Sequence, residues 1–174
     1  MNKVVLAVMA LFGLAISSIS IAASTTYGFT QITDNGNGVD LTPQLSMTAA
    51  DESNGALFTF YNNVGIDSSI ASIYFDDSSD IFSSIAFEGQ SDNVIFTDDA
   101  KSKNLPGSST SDFTTTFSSS KSGAMTNGVD HNDEWVSFFG VFNDGLSADN
   151  LIAAIFSQTF RAGLHVISIG EAGE

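Results

Sequence analysis

Beyond its first two dozen residues the chain alternates short apolar runs with clusters of Asp, Asn, Gly and Ser, the rhythm of β-strands and their turns. Runs rich in Phe, Ile, Val and Thr predict nine strands, over 27–33, 41–48, 56–62, 71–76, 83–88, 93–97, 113–118, 134–142 and 163–169. In "SIYF" Ile73 and Phe75 fall on one face with Ser72 and Tyr74 on the other, and in "FTTTF" Phe113, Thr115 and Phe117 share a face. Both patterns predict half-buried strands. "EWVSFFGVF" sets Val136, Phe138 and Phe142 against Trp135, Phe139 and Val141, which predicts a central strand covered on both sides.

One segment changes period. In "LSADNLIAAIFSQTF" Ser147 is a helix cap, Asp149 suits the positive end of the dipole, and Leu151/Ile155 and Ile152/Phe156 repeat four apart. The spacing predicts a helix over 148–157, packed on an end or a face of the strands. The stretch 98–112, "DDAKSKNLPGSSTSD", reads as an exposed loop with a Pro106-Gly107 turn. No repeat recurs at 20 to 50 residues, which removes solenoids and propellers. What remains is mainly β: an antiparallel two-sheet β-sandwich, jelly-roll or immunoglobulin-like, with one short helix near the C-terminus. The 15 phenylalanines supply its core, each contributing about 1.5–3 kcal/mol when fully buried.

The opening "MNKVVLAVMALFGLAISSISIAA" carries Lys3, an uncharged apolar run from Val4 to about Ile16, and small residues at its end. That is the order of a secretory signal peptide, and its apolar run is shorter than the ~20 residues a spanning helix needs. Cleavage after Ala22 or Ala23 is expected. The assignment is therefore signal peptide over 1–23 and a single domain over 24–174, with no membrane span after cleavage. Without cysteine there is neither a lipidated N-terminus nor a disulfide framework, so the domain stands on its core.

Removal of Lys3 leaves 20 acidic residues against Lys101, Lys103, Lys121 and Arg161, a formal charge of −16 where the full chain has −15. Such a surface repels phosphate backbones and anionic lipid headgroups, which excludes nucleic acid. Metal ions, neutral polymers and other copies remain as partners.

The acidic residues cluster. Asp76, Asp77 and Asp80 follow a strand directly; "DNGNGVD" holds Asp34, Asn37 and Asp40; "DHNDE" holds Asp130, Asn132, Asp133 and Glu134. Calcium takes six to eight oxygens in flexible geometry, so Asp76, Asp77, Asp80, Asp130 and Asp133 are candidate calcium ligands. The twelve-residue helix–loop–helix pattern is absent, and Asx-turns at strand ends account for the same residues without an ion. The calcium reading expects modest stabilisation by millimolar calcium.

Catalytic motifs are sparse. His131 and His165 are too few for a histidine-rich zinc site, and His165 sits in an apolar strand. "VISIG" puts Val166 where a nucleophile elbow needs glycine, which discounts Ser168. Glu88 and Glu134 could form a glycosidase pair from neighbouring strands, although nothing in their spacing requires it. No catalytic residue is assigned.

The order "YGFTQIT", "ALFTFYN", "SIASIYFDD", "NLPG", "NGVDHNDEWVSFFGVF", a short helix and "FRAGLHVISI" resembles exported bacterial proteins that carry a PEP-CTERM sorting signal for exosortase. The resemblance spans about Tyr27 to Ile169 and implies an exported β-sandwich of the cell surface or extracellular matrix. It brings no active-site residues. After Ile169 the chain reads "GEAGE", without the Pro-Glu-Pro, apolar anchor or basic tail of that pattern, so free secretion or non-covalent assembly is expected.

Two functions follow as expectations. The first is a non-catalytic exported protein, calcium-stabilised and self-associating through exposed edge strands. The second is a glycan-binding module or small glycoside hydrolase, with Trp135, Tyr27, Tyr61 or Tyr74 stacking on an extracellular polysaccharide. Placement of Trp135 inside an apolar strand speaks against the second.

Overall fold

The computed structural model describes residues 24–33, 38–98 and 104–170. The expected signal peptide, the residues Asp34, Asn37, Lys101 and Lys103, and the end of "GEAGE" lie outside the described residues.

Among the described residues ten strands, one more than the nine expected, form the two antiparallel sheets that the alternation predicts. They are β1 (Ser24–Gly28), β2 (Leu45–Glu52), β3 (Gly55–Asn62), β4 (Ser69–Asp77), β5 (Phe82–Gln90), β6 (Phe96–Asp98), β7 (Phe117–Lys121), β8 (Val129–Asp130), β9 (Glu134–Phe142) and β10 (Phe160–Ile167). The first sheet has the order β1-β2-β3-β9-β5 and the second β10-β4-β7-β6, with β8 paired to β4 beside β7. A short helix α1 (Ser108–Ser111) precedes β7, and α2 (Ala148–Phe156) precedes β10. The α2 start is where Ser147 places it: the Asn150 side chain accepts from the Ser147 backbone N–H at 3.0 Å.

The core is a stack of phenylalanines between the sheets. Phe58 and Phe60 of β3 meet Phe75 of β4, Phe58 also meets Phe160 of β10, and Phe138 of β9 meets Phe75 and Phe96, with centroids 5.4 to 6.4 Å apart. A polar knot pins the crossing from β3 to β4. There the buried Gln44 side-chain amide donates to Asn62 Oδ1 at 2.8 Å, and Asn62 donates to the carbonyls of Ser68 at 3.1 Å and Val129 at 3.0 Å. These pairings satisfy groups that would each cost about 1–3 kcal/mol if buried unpaired.

Three local expectations are corrected. The strand covered on both faces is β4, every residue of which is buried, and not β9. β9 is interior to its sheet, but its Trp135, Phe139 and Val141 face solvent half-exposed. The cover over β4 comes in part from the stretch read as an exposed loop: its Leu105, together with Phe113 just beyond it, is buried on Tyr74. Finally, Phe113 and Phe117 do not share a strand face. The chain turns at 114–116, where Thr114 N–H donates to Asp76 Oδ2 and Thr116 N–H to the Phe75 carbonyl, so only Phe117 reaches the main core.

Candidate functional site

Asp76 and Asp77 are adjacent on β4 and therefore point to opposite faces. Asp76 looks outward beneath the 104–116 cover, 2% exposed, and is ion-paired with the guanidinium of Arg161, its register partner on β10. The same guanidinium donates to the carbonyls of Ser111 (2.8 Å) and Asp112 (2.6 Å) and lies 5.3 Å from the Phe113 ring centroid. Arg161 thus rivets the cover to the second sheet. Asp77 faces inward and closes the β4–β5 turn, accepting from the N–H groups of Ile81 and Phe82 at 2.9 Å each. Asp80, at φ 52°, is exposed in that turn.

The other acidic residues are held apart as well. Asp133 accepts from Val64 N–H at 3.2 Å, while Asp130 lends its backbone N–H to Glu134 Oε2 at 2.8 Å. Asp40 accepts from both the N–H and the hydroxyl of Thr42, which lowers its pKa. Among the described residues no three His, Asp or Glu side chains converge on one point. No three of the five candidate calcium ligands are therefore brought together among the described residues: Asp76 has a cation, and Asp77 and Asp133 have backbone donors.

Glu88 is exposed beside a bulge in β5, and Glu134 is half-buried at the start of β9; neither borders the cleft described below. Burial raises the pKa of Glu134, the neighbouring Asp130 carboxylate adds to the rise, and the Asp130 amide and His131 oppose it. A folded-state value above the unfolded one means that the contribution to stability is present at low pH and lost as pH rises through the folded value. Glu134→Gln is therefore expected to leave the melting temperature unchanged near pH 4 and to raise it slightly by about pH 8, checked by paired melts across that range. His131 Nε2 lies 2.9 Å from Asp67 Oδ1. Ser168 follows β10 at φ 54° with no helix after it among the described residues.

The feature that sequence reasoning missed lies along β10. Because β3 stands over β4 and β10, the strands β2 and β1 run on past the edge of the second sheet, where no strand among the described residues faces them. The result is a cleft of about 1090 Å³, bordered by β10, by Leu45 and Met47 of β2, and by Tyr27 of β1. Phe29, Val39 and Leu41 of the β1–β2 connection fold back against the core and fill part of the gap. Burial falls along the inward row of β10, from Phe160 at 2% to Ala162, Leu164 and Val166, which are only partly covered. Paired among the described residues only with β4, β10 is an edge strand that also turns about half its backbone N–H and C=O groups into the cleft.

A second, shallower cleft of about 520 Å³ lies among Asp51, Glu52, Asp144 and Asp149. No helix among the described residues is long and apolar enough to cross a membrane. No protein-family model, curated protein or solved structure matches this chain.

Proposed function

We propose that this chain is a non-catalytic exported protein of the cell surface or extracellular matrix, which works by joining another molecule along an open sheet edge. The observation that carries this reading is β10: an edge of eight residues whose inward apolar row is left half-covered beside a cleft. Edges of this kind are templates for strand pairing unless charge, proline, bulges or brevity blunt them. β5 has two bulges and an exposed Glu88, β6 is three residues long, and β1 is five residues long with four of them exposed and no apolar row. β10 has neither proline nor acid, the one irregularity in its pairing places the extra residue, Ala71, on β4, and its one cation is turned back onto Asp76. The leader-like 1–23 and the high negative charge fit a protein working outside the cytoplasm.

The test is cell fractionation of the C-terminally tagged chain in its host. The mature chain, shorter by about 23 residues, is expected in the surface or medium fraction. Recovery at full length in the cytoplasm would refute the reading.

One observation favours a glycan-binding alternative. Trp135 stands directly opposite Tyr61 on the solvent side of the first sheet, and both are half-exposed. Two aromatic side chains neighbouring on an open pleated face can stack on sugar rings. With a single tryptophan the check is direct: polysaccharide binding there changes Trp135 fluorescence and shields it from quencher, whereas an unchanged signal removes this reading.

A further inference from the structure

We infer that the cleft beside β10 receives one extended segment of a different polypeptide, apolar at alternate positions and basic at both ends, which adds to the second sheet as a further strand beyond β10. This inference rests on the proposed edge-joining function and names the partner's chemistry.

Three observations specify the guest. The first is backbone: β10 presents unpaired N–H and C=O groups over Phe160–Ile167, so the complementary surface is another strand of about eight residues. The second is the space between the sheets. A strand laid beside β10 alternates, and its inward side chains meet Leu45, Met47 and Tyr27 on one side and extend the row Ala162, Leu164, Val166 on the other. Those positions must be apolar.

Charge is the third. Among the described residues bordering the cleft Asp40 is the one carboxylate, and Arg161 is neutralised by Asp76, so with His165 as the remaining titratable side chain of β10 there, an uncharged middle suits the guest. Acids mark both ends of β10, however. Arg161, at one end, donates to the carbonyl of the exposed Asp112, and at the other Gly170 N–H bonds to the carbonyl of Asp67, whose side chain is 64% exposed. In a chain of net charge −15 these ends favour Lys or Arg at both termini of the guest.

A second copy fits poorly. β1 and β2 run beneath the slot, so an edge approaching as part of a whole sandwich collides with them, and two strongly acidic copies repel. A lone strand meets neither obstacle.

The test titrates the purified, isotope-labelled chain with a synthetic peptide of alternating Thr and Val, eight residues long with Lys at each end. Saturable shifts of amide signals over residues 160–167 and of Met47 and Tyr27 are expected, together with fluorescence-polarisation binding. Exchange of the terminal Lys for Glu is expected to weaken binding about tenfold, and N-methylation of alternate peptide amides to abolish it. Leu164→Lys is expected to weaken binding about tenfold with the melting temperature held. Equal binding by the N-methylated peptide, or shifts confined to β5 and β6, would overturn the inference. So would a dimer whose 160–167 amides are protected without peptide, since a second copy would then fill the slot. None of these results changes where the chain is found in the cell, so failure here is distinguishable from failure of the exported-module reading.

Discussion

Arg161→Met is expected to destabilise the protein by about 3–5 kcal/mol, because it strands the buried Asp76 carboxylate without its counter-ion. Thr114 N–H, at 3.1 Å, would be the hydrogen bond left to it. The same change releases the carbonyls of Ser111 and Asp112 and the Phe113 ring, so the 104–116 cover loosens over Tyr74. Two readouts separate these effects. Denaturant unfolding gives the total, and limited proteolysis reports whether cleavage within 104–116 appears first. The double variant Asp76→Leu, Arg161→Met is expected to recover much of the loss, since both charges leave together. A single variant as stable as the parent would show that the pair is not buried as described.

Phe75→Ala is expected to cost a similar amount, about 3–5 kcal/mol, against a total stability of about 5–15 for a domain of this size. Phe75 is 1% exposed and its ring meets those of Phe58, Phe60, Phe138 and Phe160, so removing it opens a hole shared by four strands. The control is Phe156→Ala. That ring is 85% exposed on α2, and its loss is expected to change stability by no more than about 0.5 kcal/mol. Urea midpoints of the two variants, compared at unchanged slope, check the pair.

What the sequence made legible was local. The limits of β9 match the expectation residue for residue because "DHND" and "NDG" punctuate both ends, and α2 begins where Ser147 and the four-residue spacing place it. Long-range pairing was not legible. Asp76, Asp77 and Asp80 read either as calcium ligands or as turn formers at a strand end, and neither reading supplies the cation that pairs with Asp76, which stands 85 residues away. Alternation put Phe113 and Phe117 on one face, and the bonds that turn the chain between them reach back to β4 over about 40 residues. The cleft depends on strand order: β7 and β8 share one side of β4, so the second sheet is four strands across where the first is five, and alternation carries no information about order. One signal was available: "FRAGLHVI" has no acid in a chain that holds 20.

Amide hydrogen exchange in the purified chain tests most directly whether β10 is a true edge. The predicted result is alternation over Phe160–Ile167, with amides bonded to β4 protected and those directed into the cleft exchanging fast. Uniform protection along all eight residues would contradict it, because the edge would then already be paired.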